Sequence, residues 1–143
     1  MPTLYLAGPL FTEAEQQWLR ALKGRLQDAI PGLTVVWPGE LFDAQELADM
    51  GHGAKSHIFE VCRSHLEASN LVVALLDGTQ VDDGTAWEIG YAYAKGIPVY
   101  GIRTDFRNAG DTAHSLVNAM IEASCQAIYP SVQALIDGLK TAL

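Results

Sequence analysis

The stretch "LVVALLDGTQVDDGTAWEIGYAYAKGIPVYGI", residues 71 to 102, holds a complete strand, helix and strand in sequence. Its opening residues 71 to 77 form an apolar run with almost no polar interruption. A turn rich in glycine and acid follows, then a helical segment to about Lys95, then "IPVYGI" at 97 to 102 as a second strand. Near-continuous apolar strands belong to sheets covered on both faces, and a helix linking two of them makes the pair parallel.

The same alternation extends in both directions. "TLYLAG" (3 to 8) is a buried strand ending at a glycine and Pro9. Thr12 and Glu15 have capping-box spacing, and Trp18, Leu19, Leu22, Leu26 and Ala29 recur at helical intervals up to "PG" at 31 and 32. "LTVVWP" (33 to 38) is a strand and "SHIFEVCRSHLEAS" (56 to 69) an amphipathic helix. Downstream, the spacing predicts a helix near 112 to 124, a strand at "AIYP" (127 to 130), and a helix from Ser131 with Val132, Leu135, Ile136 and Leu139 on one face. The expected fold is α/β: one domain over residues 1 to 143, doubly wound, with a mainly five-stranded parallel sheet and helices on both faces, flavodoxin-like or Rossmann-like. Residues 38 to 55 form the longest irregular stretch. With room for a short helix and with Gly51 and Gly53, they read as a mobile cover loop.

Composition narrows the function. A chain of 143 residues with 49% hydrophobic content supports one core. The formal charge of −8 disfavours a nucleic-acid or anionic-membrane surface, which needs clustered Lys and Arg, and favours small neutral ligands. No run is apolar over the roughly 20 residues of a membrane span, and "MPTLYLAGPL" lacks a basic signal-peptide region, so a cytoplasmic location is expected. Cys62 and Cys125 lack CxxC spacing and read as reduced thiols. His52, His57, His65 and His114 make no metal-binding pattern. Trp37, Trp87 and Tyr91 read as core residues, since aromatics more often pack than bind ligands; the alternative is an aromatic beside the carboxylate crevice that stacks on a flat base.

In open parallel sheets ligands bind beyond the carboxyl ends of the strands. "YLAGPLF", "DGTQVDDGT" and "RTDFRN" occupy such positions and are expected to converge on one crevice. Within the second, Thr85 and Glu88 have the spacing of a capping box, which would make Glu88 a structural residue. Against this, Asp82, Asp83 and Glu88 gather three carboxylates at one turn, a costly arrangement unless chemistry uses them. The acids also argue against phosphate, and neither GxGxxG nor GxxxxGK[ST] is present, so dinucleotide and ATP chemistry are not expected and no cofactor is implied.

Taken together, "YLAGPLF", "LVVALLDGTQVDDGTAWEIGYAYAKGIPV" and "VNAM" resemble the nucleoside 2-deoxyribosyltransferases, most densely from Ala68 to Val99. Asp82, Gly84, Glu88, Gly90 and Ala92 carry the motif; related nucleotide N-hydrolases share the Glu and its glycines. The resemblance implies that Glu88 is the nucleophile, that Tyr5 hydrogen-bonds and orients it, and that Asp82 engages the nucleoside. It implies substrate contacts from Gly8, Phe11, Asp83, Gly84 and Met120, and an Asn118 delivered to a neighbouring subunit's site, hence a homo-oligomer built on dimers up to a hexamer. Many members carry an acid near the nucleobase where this chain has Cys62, with Glu60 or Arg63 as substitutes.

The implied substrates are a 2'-deoxynucleoside and a free nucleobase. Glu88 would attack C1' as the base departs, giving a deoxyribosyl ester that an incoming base opens, with Asp82 or Asp83 assisting the departing base. Two other readings use the same residues: an N-glycosidic hydrolase of deoxynucleosides or deoxynucleotides, with water as acceptor, and a non-catalytic nucleoside-binding module in which Glu88 only caps its helix.

Overall fold

The computed structural model describes residues 1–143. Five parallel strands run β1 (Thr3–Ala7), β2 (Thr34–Val36), β3 (Leu71–Leu75), β4 (Val99–Ile102) and β5 (Ala127–Tyr129). They lie in the order β2-β1-β3-β4-β5. Six α-helices connect or flank them: α1 (Glu13–Ala29), α2 (Ala44–Met50), α3 (Ala54–Glu67), α4 (Asp83–Ala94), α5 (Ala119–Glu122) and α6 (Val132–Ala142). This is the α/β arrangement that the alternating pattern predicts.

The strand period of two divides each apolar run between two cores. Leu4 and Leu6 of β1 and Val73 and Leu75 of β3 face α1 and α6, meeting Leu19, Leu22, Leu26, Leu135 and Leu139. Tyr5 and Ala7, with Val72, Ala74 and Leu76, face the opposite way and meet Leu66 of α3, Ile89 and Ala92 of α4, and Val117. Each buried leucine contributes roughly 1.5–3 kcal/mol by leaving water. Functionally, the parity places the Tyr5 ring on the α3 and α4 side of the sheet.

The order in which strands are added reverses at β1. β1 is paired with β2 on one side and β3 on the other, with Tyr5 opposite both Val36 and Val72. The chain leaves β1 for α1 and leaves β3 for α4, which lie on opposite faces. The loops therefore separate beyond the ends of β1 and β3 and leave a crevice.

One local expectation gives way, and one is met. The helix predicted near 112 to 124 shrinks to the four residues of α5. In the segment before it, side chains take over the backbone's partners: Glu122 accepts from the amides of Leu116 (2.6 Å) and Val117 (3.2 Å), and Asp111 accepts from Ala119 (2.8 Å). Short polar side chains compete with helix formation in this way. In the 38 to 55 stretch, α2 forms with Asp43 as its cap but buries none of its residues. Gly51 ends it at φ 55°, in the left-handed region that glycine favours.

Candidate active site

Asp82, not Thr85, caps α4. Its carboxylate accepts from the Thr85 amide and the Thr85 hydroxyl, both at 2.9 Å and both through Oδ2. Thr85 is then the third helical residue, buried at 1% exposure, and Glu88 lies three residues further along, in the second turn. The capping-box reading of Thr85 and Glu88 is wrong for that reason: the Thr85 amide that Glu88 would have satisfied is bound by Asp82, and Glu88 lies inside the helix.

Glu88 instead turns toward the sheet. The Tyr5 hydroxyl, brought from β1 by the parity described above, donates a hydrogen bond to Glu88 Oε2 across 83 residues of sequence. Burial pushes the Glu88 carboxyl up to about 7; the Tyr5 hydrogen bond pulls it down and the Asp82 charge pushes it up. Tyr5 itself is held far above the usual phenol range, first by burial and then by the Glu88 charge. The site therefore holds a carboxyl that is about half ionised near neutrality, with a neutral hydroxyl fixed on it.

Glu88 opens into a cleft of about 480 Å³, within the size range of small-molecule sites. Gly8, Leu10 and Phe11 line it from the loop after β1, Asp82, Gly84 and Trp87 from the start of α4, and Ile58, Phe59, Cys62 and Arg63 from α3. Pro38, Gly39, Phe42 and Leu47 form the remaining side, so the 38 to 55 stretch does border the cleft. Apart from Asp82, Glu88, Cys62 and Arg63, the lining side chains are apolar. Arg63 is already paired with Glu60 (2.9 Å) and Glu67 (2.7 Å).

Not every expected residue comes to this cleft. Asp83 turns away and accepts from the Gly84 amide at 2.8 Å. With Asn118 it lines a second cavity of about 510 Å³, between the loop after β3 and residues 109 to 121. Asn118 caps α5 by accepting from the Met120 amide (2.9 Å), and Met120 is exposed. "RTDFRN" does not join the crevice either. Arg103, 4% exposed, donates to the carbonyls of Leu76 (2.6 Å) and Gly78 (2.9 Å), and Asp105 accepts from the Gly78 amide (3.0 Å). These bonds brace the turn at Gly78, whose φ is 107°, and so set where α4 begins. Within one chain the three loops serve two cavities and a brace rather than one crevice.

The aromatics divide as well. Trp37 is core, at 1% exposure, but Trp87 is 46% exposed and its ring stacks on Tyr91 (5.1 Å, 14°) with Phe59 edge-on (5.3 Å). Apolar character at helical spacing cannot separate an inward tryptophan from one at a cleft mouth, so Trp87 and Phe59 were not recoverable from the sequence as lining residues.

A carboxyl held by a tyrosine hydroxyl thus faces a mostly apolar cleft at the switch between β1 and β3. The sequence pattern of the family described as Nucleoside 2-deoxyribosyltransferase matches residues 4–120. The chain belongs to that family.

Solved structures agree on the fold of this nucleoside 2-deoxyribosyltransferase family member. It is similar to a conserved protein from Enterococcus faecalis V583, with 30% identity and a TM-score of 0.82 over 100% of this chain and 99% of that one. It is also similar to a 2-deoxyribosyltransferase from Bacillus psychrosaccharolyticus, at 23% identity and a TM-score of 0.77 over 94% and 90% of the two chains. A 2-desoxiribosyltransferase from Leishmania mexicana gives 20% identity and a TM-score of 0.72 over the full length of both.

Proposed function

We propose that this protein transfers 2-deoxyribose between nucleobases of 2'-deoxynucleosides through a covalent ester on Glu88. The observation that carries the reading is the partly buried Glu88 carboxyl, oriented by Tyr5 and facing a mostly apolar cleft. Ionised Glu88 attacks C1' from the face opposite the base. The C1'–N bond breaks, its electron pair leaves with the base, and Glu88 becomes a deoxyribosyl ester. A nitrogen of the incoming base then attacks C1' from the vacated face and the carboxylate departs; the N–H proton of the incoming base is released as the departed base takes one up, and configuration is retained overall.

Each group has a physical task. Tyr5 holds the attacking oxygen in one orientation. Asp82 has Oδ2 committed to Thr85, which leaves Oδ1 to accept from a sugar hydroxyl or from an N–H of the base. Of the two acids in the turn this role falls to Asp82, since Asp83 lines the other cavity. Gly8, Phe11 and Gly84 bound the space around the sugar and base. Asn118, with Met120 beside it, lies outside its own chain's cleft and is assigned to a neighbouring subunit's site in a homo-oligomer. The apolar walls favour transfer over hydrolysis, because the ester waits in a space that disfavours water and accepts a flat base.

The deciding experiment incubates deoxyinosine with and without adenine. Deoxyadenosine should form only in the mixture. Free deoxyribose released at the same rate with or without adenine would reassign the protein as a hydrolase; no reaction in either arm would leave a nucleoside-binding module.

A further inference from the structure

Phe59 of α3 and Trp87 of α4 both line the Glu88 cleft, and each is 46% exposed. Their ring centroids lie 5.3 Å apart and their planes cross at 73°, so the two form an aromatic corner. A flat molecule lying on either ring meets the other edge-on, and aromatic groups favour both geometries. The corner is supported from outside the cleft. Tyr91, one turn further along α4, stacks on Trp87 at 14°. Lys95 lies over the Tyr91 ring, 5.5 Å from its centroid, and pairs at 3.1 Å with Glu67 of α3. The helices that carry the two rings are thereby tied to each other. Large apolar rings left open beside a cleft mark a binding surface rather than a core.

The walls around the corner offer little to a polar edge. Ile58, Phe42 and Leu47 have no hydrogen-bonding side chain. Arg63 is held between two carboxylates, donating to Glu60 at 2.9 Å and to Glu67 at 2.7 Å. Cys62 brings a thiol, a weak donor and acceptor. The two acids, Asp82 and Glu88, both stand on α4 at the end of the cleft where the sugar reacts.

We propose that the Phe59–Trp87 corner is the nucleobase subsite, and that it selects bases by the area of their flat face rather than by the hydrogen-bonding pattern of their edges. The proposal rests on the reading of the cleft as a deoxynucleoside site. Stacking a base on an aromatic side chain is worth roughly 5- to 150-fold in affinity. It tolerates changes in exocyclic groups, because every base has a π face. A site that reads an edge through hydrogen bonds behaves otherwise: it rejects an analogue lacking the bonded group by about ten-thousandfold or more, since its own buried polar atoms are then unpaired. Apolar walls carry no such penalty. A purine lays two fused rings on the corner and a pyrimidine one, so purines gain the larger contact.

The test measures base exchange from deoxyinosine with adenine, guanine, unsubstituted purine and cytosine as acceptors, in wild type, Trp87→Ala, Trp87→Phe and Phe59→Leu. In parallel, calorimetry follows deoxyadenosine binding to Glu88→Gln with and without Trp87→Ala, which needs no turnover. The three purines should agree in kcat/KM within about tenfold and exceed cytosine by about tenfold or more. Trp87→Ala should raise the KM for adenine at least about fivefold with kcat changed by less than about threefold, and Trp87→Phe, which keeps a π face, should stay within about threefold of wild type. Phe59→Leu should raise the same KM at least about threefold, and it carries the test from the other helix should Trp87→Ala fail to fold. Unsubstituted purine more than about tenfold poorer than adenine, cytosine within about tenfold of the purines, or a KM that Trp87→Ala raises less than about fivefold overturns the proposal. Deoxyadenosine binding that is weakened by Trp87→Ala in a protein without base exchange would keep the corner and sink the transferase reading. Base exchange that Trp87→Ala leaves untouched would do the reverse.

Discussion

Glu88→Gln should abolish base exchange and at the same time make the protein more stable above neutral pH. The Glu88 carboxyl, with an ordinary value of 4.5, sits at about 7 in the folded chain, chiefly through burial. Between those values the folded chain holds a proton that the unfolded chain has released. The stabilisation from that proton is therefore complete below about pH 4.5 and is lost as pH rises through about 7. A gap of about 2.5 pH units corresponds to about 3 kcal/mol, a sizeable part of the roughly 5–15 kcal/mol that holds an ordinary domain together. Glutamine is neutral at every pH and can still accept from Tyr5, so it escapes the loss. Urea denaturation of both proteins at pH 5 and pH 8 gives the comparison. The stability of Glu88→Gln relative to wild type should rise by about 2–3 kcal/mol from pH 5 to pH 8, while exchange of deoxyinosine with adenine falls at least about a thousandfold. A stability difference that is the same at both pH values would refute the burial argument. Retained turnover would refute Glu88 as nucleophile whatever the stabilities do.

The remaining predictions test other parts of the same geometry. In wild type, base exchange should climb about tenfold per pH unit below pH 7 and level off above it, because only ionised Glu88 attacks; a flat profile from pH 5 to 9 would exclude that requirement. Tyr5→Phe should lower the exchange rate by roughly 10- to 1,000-fold and move the acid limb to higher pH, since the bond it removes holds the Glu88 carboxyl down; a rate within about twofold of wild type would make Tyr5 a packing residue. Deoxyadenosine should outcompete its 5'-monophosphate by about a hundredfold or more, because Asp82 and Glu88 repel a dianion and Arg63 is already paired; equal use would overturn the charge argument. Glu88→Gln and Asn118→Ala, mixed after subunit dissociation and reassembly, should regain activity at sites that combine an intact Glu88 with a neighbour's intact Asn118; a mixture that never exceeds the average of the separate variants places Asn118 outside any shared site.

The alternation of apolar strands with helices was legible without coordinates, and so was the parallel sheet, because periodicity and chain connectivity are local properties that constrain topology strongly. Tyr5 and Glu88 were legible as candidates because a family motif marks them. Where α4 begins was not. Thr85 and Glu88 satisfy the spacing of a capping box, and spacing cannot say where a helix starts; the start was set by Asp82 accepting from Thr85 and by the buried Arg103 bracing Gly78 from another strand. The same limit separated Asp82 from Asp83. The two are adjacent in sequence, but Asp82 is the non-helical cap and Asp83 the first helical residue, and the change of backbone between them sends one into the Glu88 cleft and the other into a different cavity. Cys62 shows the limit most plainly, since nothing in "EVCRS" announces a partner. Only the packing of α3 against the Tyr5 face of the sheet places that thiol in the cleft that holds Glu88, because contacts between distant segments are fixed by the fold as a whole and leave no local trace in the chain.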